Sequence, residues 1–265
     1  MRSGLIFVSC VIAATGLMGC GRTVNRTAER KIRDALPEYI GQAAEWRAHV
    51  DNPPERTLSG KLRTVTIDGD GVDLKKIVRL ASLHIEMRDT DVDTGHQQLK
   101  SVGLTTFRAV ITEPDLNDYV RRNPPPPEEP VRIKSLRLLN GKIHAEATRW
   151  ALGREWAFSS DAEPQLVSTS QLYFDPERMS IVGVTVPLPA SALRWLARRL
   201  SDGMDFSAFP FPVQILRFKV EPGRLIIEGH ADVIKSLNEK IGAIWNGNSL
   251  SEANSASQRA AIETE

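Results

Sequence analysis

At 265 residues, 41% hydrophobic and 25% charged, the chain lies in the ordinary globular range and is long enough to bury a substantial core. A formal charge of +1 leaves no basic excess of the kind that draws a protein to nucleic acid. Only two cysteines are present, Cys10 and Cys20, which excludes a disulfide-stapled scaffold.

Arg2 followed by the apolar stretch from Leu5 to Met18 has the layout of a secretory signal and is short for a bilayer span. It ends in Leu17-Met18-Gly19-Cys20, which resembles the bacterial lipobox, with a small residue before the cut and a thiol to carry lipid. The expectation is a signal peptide over residues 1–19, cleavage before Cys20, and diacylglycerol (with palmitate-type acyl chains) on its sulfur. The protein would then be held to a membrane of the bacterial cell envelope with its body exported. A plain signal peptide with an incidental Cys20 is the alternative. Cleavage would remove Cys10 and Arg2, leaving no free thiol and 33 basic residues against 33 acidic ones.

Residues 20–26 are small or polar and read as a tether, and the sequon Asn25-Arg26-Thr27 reads as chance, with Thr27 a helix cap. A domain over residues 27–245 follows. From Thr27 to His49 the residues Ile32, Leu36, Tyr39, Ile40, Ala43 and Trp46 recur at helical spacing, with Pro37 predicting a kink or break. Asn52-Pro53-Pro54 closes this region, and beyond it the period becomes two.

Ala81, Leu83, Ile85 and Met87 alternate with polar residues as a half-buried strand does, and Leu62 to Ile67 and Leu104 to Ile111 do so less cleanly. Asp68-Gly69-Asp70-Gly71 and Asp89 to Asp93 read as turns, since neither has calcium-loop spacing. Pro114 to Val120 reads as a short helix, and Pro124 to Pro127 as a stiff surface loop.

Asn140-Gly141 between two alternating runs is a strong hairpin signal. Two further hairpins are expected, at Asp175-Pro176-Glu177 and at Glu221-Pro222-Gly223. Between them Ala190 to Leu200 forms an amphipathic helix whose Arg194, Arg198 and Arg199 lie off the apolar stripe, as a solvated face or as phosphate ligands. A closing helix is expected over Ala231 to Trp245, then a disordered tail over residues 246–265. The class is α+β with antiparallel pairing, because tight turns join neighbouring strands and no βαβ alternation occurs.

Leu58-Ser59-Gly60-Lys61-Leu62, Ile111-Thr112-Glu113-Pro114-Asp115-Leu116 and the hairpin from Phe209 to Gly229 together resemble the LmeA-type bacterial phospholipid-binding proteins. The resemblance spans about Leu58 to Val233. It implies a tubular lipid-binding-like architecture: an elongated, strongly twisted antiparallel sheet wrapped around a long N-terminal helix, with phospholipid in an apolar groove.

Catalysis is not expected. Gly-x-Ser-x-Gly and His-Glu-x-x-His are absent from the sequence, and the five histidines are scattered, so neither a catalytic site nor a metal nor a cofactor is assigned. The expected ligand is a phospholipid or glycolipid, held by Leu83, Ile85, Met87, Phe107, Ile111, Leu193, Trp195 and Phe218. Phe206, Phe209 and Phe211 lie among prolines and must either pack on the body or enter a membrane, the latter making them a membrane-facing mouth. The rival function is a structural or interaction module that binds an envelope protein partner without lipid.

Overall fold

The computed structural model describes residues 22–74, 78–93, 98–125, 131–151, 153–175, 180–182, 190–209 and 211–233. Cys20 and the expected signal segment, the helix expected beyond Val233, the expected tail and the turn expected at residues 176–179 lie outside them.

The described chain is α+β and built on open antiparallel sheets. A six-stranded sheet has the order β1 (Glu45–Asp51), β2 (Lys61–Val72), β3 (Leu80–Asp93), β4 (Gln98–Thr112), β12 (Arg224–Ala231), β11 (Val213–Glu221). A four-stranded sheet has the order β10 (Ser180–Val182), β7 (Arg154–Ala162), β6 (Ile143–Ala151), β5 (Val131–Leu138). β8 (Pro164–Ser168) and β9 (Gln171–Phe174) form a separate ribbon. The helices are α1 (Arg22–Tyr39), α2 (Pro54–Leu58), α3 (Glu113–Arg122) and α4 (Ala190–Asp202). β3 and β4 contain 14 and 15 residues, so at roughly 3.4 Å per residue this hairpin is about 50 Å long.

Several expectations change here. The first helix begins at Arg22, so most of the predicted tether is helical, and it stops at Tyr39, just after Pro37. Glu45 to Asp51 is a strand, with Trp46, Ala48 and Val50 facing one way. The helical spacing of Ala43 and Trp46 misleads because β1 gains a full ladder against β2, which outweighs local preference. Asp68 to Gly71 and Asp89 to Asp93 are not turns but lie within β2 and β3. Gly69 faces inward, where the Trp46 ring occupies the space a Cβ would take, the nearest ring atom lying 2.3 Å from that position.

β9 does not pair with β10. It pairs with β8, and β10 pairs with β7, so two strands that the alternation did not reveal, β7 and β8, take the places expected of a simple hairpin. The hairpins at Asn140-Gly141 and at Pro222-Gly223 are present, with Gly141 and Gly223 at φ 79° and 78°. The two turns meet: Gly141 N–H donates to Val220 O and Gly223 N–H to Leu138 O, both at 3.0 Å, which joins one end of the large sheet to the second sheet.

α1 packs along β1 and α2, with Leu36 fully buried and Ala28, Ile32 and Ile40 partly so. Glu29 Oε1 accepts the Val50 N–H at 3.0 Å, so the helix satisfies a backbone donor on the sheet's edge strand. A buried polar node secures this corner. Asn25 Nδ2 donates to Asn52 O at 2.8 Å, Thr57 Oγ1 donates to Asn25 Oδ1 at 2.7 Å, and Asn52 Nδ2 donates to Thr57 Oγ1 and Lys61 O, each at 2.8 Å. The asparagine of the chance sequon is therefore a structural clip.

Candidate functional site

Strand register assembles one apolar surface from residues far apart in sequence. Trp46, Gly69, Leu83, Ala109, Ile227 and Phe218 form a row across all six strands of the large sheet. A second row runs Ala48, Ile67, Ile85, Phe107, Gly229 and Ile215, a third runs Val50, Val65, Met87 and Thr105, and Ala231 stands opposite Val213. Ile111 opposes Leu225 in a row on the other side of the first. Six of the eight expected lining residues, Leu83, Ile85, Met87, Phe107, Ile111 and Phe218, thus share this face.

Leu193 and Trp195 do not sit on that sheet. They belong to α4, which packs on β9 and β5, and both are partly buried against the common core. Leu83, Ile85, Phe107 and Ile111 are fully buried, whereas Met87 and Phe218 are covered only in part. Cover is thus incomplete at Met87 and Phe218 themselves, while Thr90 and Val92 farther along β3 and Val213, Ile215 and Val220 on β11 are buried.

Phe206, Phe209 and Phe211 correct the expectation of an outward mouth, since their exposures are 1%, 6% and 9%. Phe209 stands 5.9 Å from Phe206, 5.7 Å from Phe211 and 6.2 Å from Phe107, measured between ring centroids. Tilted rings at these separations have favourable quadrupole geometry. Phe206 N–H donates to Ser170 O at 2.9 Å, and Asp205 caps the short turn by accepting the Ser207 N–H, which holds the segment over the second row. The loop took the first of the two courses open to it and packs on the body.

Trp46, Ile67, Ala109 and Ile227 belong to the same surface but were not singled out from the sequence. The alternation of Trp46, Ala48 and Val50 just before Asn52-Pro53-Pro54 was the available signal for Trp46. Nothing in the sequence states which residues stand opposite one another.

The polar groups serve the outer faces. His84 Nδ1 lies 2.7 Å from Asp68 and His144 Nδ1 lies 2.6 Å from Asp161, each across neighbouring strands. Burial works to raise the Asp161 carboxyl, but hydrogen bonds from Lys142 and His144, together with their charges, hold it below the usual carboxylate range. A carboxyl with a lowered folded pKa stabilises the protein above its unfolded value of about 3.9, and that contribution is lost as pH falls through the lower folded value. Asp161→Asn is accordingly expected to flatten the acid limb of a plot of urea midpoint against pH, with the divergence from wild type shrinking below about pH 4. An identical acid limb in the variant would show that the cluster contributes nothing.

Arg194 and Arg198 are exposed on α4, as a solvated face requires, and Arg199 donates to Asn123 O. Among the described residues no three His, Cys, Asp or Glu side chains gather as a metal site, and no helix is long and apolar enough to cross a membrane. A depression of about 590 Å³ lies at the joined turns, but Lys219, Glu221, Arg224, Asn140 and Thr112 line it, and Glu221 bridges both cations at 2.7 Å. Its chemistry differs from that of the apolar rows.

Comparison with known families places these rows in context: residues 19–230 match the model of the LmeA-like phospholipid-binding family. The chain belongs to that family. The match extends the likeness carried by the segments at Leu58, Ile111 and Phe209 to α1 and β1, which had shown no resemblance of their own. LmeA-like proteins form a phospholipid-binding family. No curated protein and no solved structure matches the chain significantly.

Proposed function

We propose that this LmeA-like protein is a non-catalytic envelope lipoprotein that carries a phospholipid or related glycolipid, with acyl chains lying along the apolar rows of the six-stranded sheet. The family match over residues 19–230 is the observation that carries this reading. The apolar face supports it. Each methylene moved from water onto such a surface contributes about 0.8 kcal/mol, so two acyl chains need no polar chemistry to be held.

Leu83, Ile85, Phe107 and Ile111 form the floor, and Met87 and Phe218, less covered, form the ends from which a chain enters. The Phe206 to Phe211 segment is the cover over Phe107, displaced when lipid is bound. In this reading the long sheet curls round α1, and Leu193 and Trp195 line the neighbouring end under α4. Lipid on Cys20 keeps the body beside the bilayer from which its ligand comes.

The test is purification without detergent, followed by solvent extraction and mass spectrometry. Near-equal stoichiometry of phospholipid to folded protein is expected, and a folded preparation that yields none, even after incubation with vesicles, would replace carriage by the interaction-module reading. The anchor is checked separately, by metabolic labelling with a palmitate analogue that marks the wild type and not Cys20→Ala.

A further inference from the structure

The far end of the β6–β7 hairpin serves neither the core nor the apolar rows. Trp150 is 64% exposed there, next to the end of β6. It stands opposite Glu155 on one face, which it shares with Thr148, and Thr148 in turn faces Arg132 of β5. On the other face Arg149 stands opposite Trp156, and the Arg154 guanidinium lies over the Trp156 ring, 3.5 Å from its centroid. The end of one hairpin thus gathers two indoles and three guanidiniums.

Among the described residues its charge is offset only in part, by Glu155, whose carboxyl feels the nearby charges of Lys134 and Arg132. Glu155 is the carboxylate within this set, and it pairs with Lys134 at 3.5 Å and accepts a hydrogen bond from Thr148. Among the described residues no carboxylate forms an ion pair with Arg132, Arg149 or Arg154, and the buried Nε of Arg149 has no hydrogen-bond partner.

Size and chemistry decide which partner fits. Aromatic side chains bury roughly 150–250 Å² each, so two indoles at a hairpin end fall well short of the roughly 800 Å² per partner of a stable protein interface. An indole with an apolar body and one N–H suits the boundary between headgroups and acyl chains, and arginine suits lipid phosphate. Anionic leaflets attract just such basic clusters.

We infer that the β6–β7 hairpin end is a bilayer-docking element, which seats Trp150 among the headgroups of an anionic leaflet while Arg132, Arg149 and Arg154 engage lipid phosphates. The element works whether or not lipid also occupies the sheet, so it stands apart from the carrier reading. It gives the tethered body a second point of membrane contact.

The test uses the full chain with Cys20→Ser, so that no attached lipid contributes, and vesicles carrying brominated acyl chains that quench nearby indoles. A Trp245→Phe background leaves Trp46, Trp150, Trp156 and Trp195, all among the described residues, so quenching reports on the folded body. Phosphatidylcholine vesicles with added phosphatidylglycerol are expected to quench the wild type, and Trp150→Ala to lower the quenched fraction by roughly twofold or more. Arg149→Gln with Arg154→Gln is expected to raise the vesicle concentration for half-maximal quenching by about tenfold and to abolish the preference over pure phosphatidylcholine.

Equal quenching of wild type and Trp150→Ala, with matching thermal transitions, would overturn the inference. So would quenching indifferent to vesicle charge, or a concentration-dependent dimer that Trp150→Ala dissolves, which would assign the hairpin end to a second copy. Lipid extracted from the same preparation reports on the carrier reading independently.

Discussion

Phe209→Ala is expected to cost roughly 3–5 kcal/mol of folding stability, the usual toll of a buried phenylalanine truncated to alanine. Phe209 is 6% exposed and touches Phe206, Phe211 and Phe107 at once, so its removal leaves a void bounded by three rings that cannot all move inward. In a chain of this size each kcal/mol moves the midpoint by about 2–4 °C, which places the expected fall in Tm at roughly 6–20 °C. Urea denaturation with an unchanged slope checks the free energy directly. A loss below about 1 kcal/mol would mean that the phenylalanine segment contributes little to the body and is free to face outward, as the sequence alone allowed.

Asn52→Ala is expected to be nearly as damaging, at about 2–4 kcal/mol, although it removes no apolar surface. The side chain is 7% exposed; it donates to Thr57 Oγ1 and Lys61 O and accepts the Arg63 N–H at 3.1 Å. Removing it leaves two backbone groups and a hydroxyl short of partners at a buried corner, where each unmet group costs about 1–3 kcal/mol unless water enters. Asn25→Ala takes away only the helix side of the node, so a loss of about 1 kcal/mol is expected. The double variant should lose less than the sum, because the two asparagines share Thr57 as a partner. Strict additivity of the two losses, measured by the same denaturation, would show that the node is not one unit.

These two sites show where reading the chain succeeded and where it stopped. The alternation through Leu83, Ile85 and Met87 correctly marked a strand with one buried face, and Asn140-Gly141 correctly marked a hairpin, because both signals are written within a few neighbouring residues. The phenylalanine segment was recognised as needing apolar company, but whether the body or a membrane supplied it depends on Phe107, about a hundred residues away. Asn25 and Asn52 looked like a chance sequon and a breaker before two prolines, since nothing local announces that they share Thr57.

The candidate site divides along the same line. Six of the expected lining residues do share a face, because period-two patterning fixes which side of its own strand each one takes. Trp46 was missed because a short apolar spacing fits both a helix and a strand, and only the ladder to β2 settles it. Leu193 and Trp195 lie on the expected Ala190–Leu200 helix, but only tertiary packing shows that this helix rests against β9 and β5.

By itself the sequence determined the α+β class, the faces of its alternating strands and the hairpins at Asn140-Gly141 and Pro222-Gly223, which follow from backbone periodicity and turn chemistry acting over a few residues, and three short segments carried the family likeness. Tertiary structure alone decided strand order, the rows that register assembles, the pairing of β9 with β8, and the burial of the phenylalanine segment. Those depend on which distant surfaces meet, and a ladder or an apolar contact gains its free energy only from a partner that the local chain does not contain.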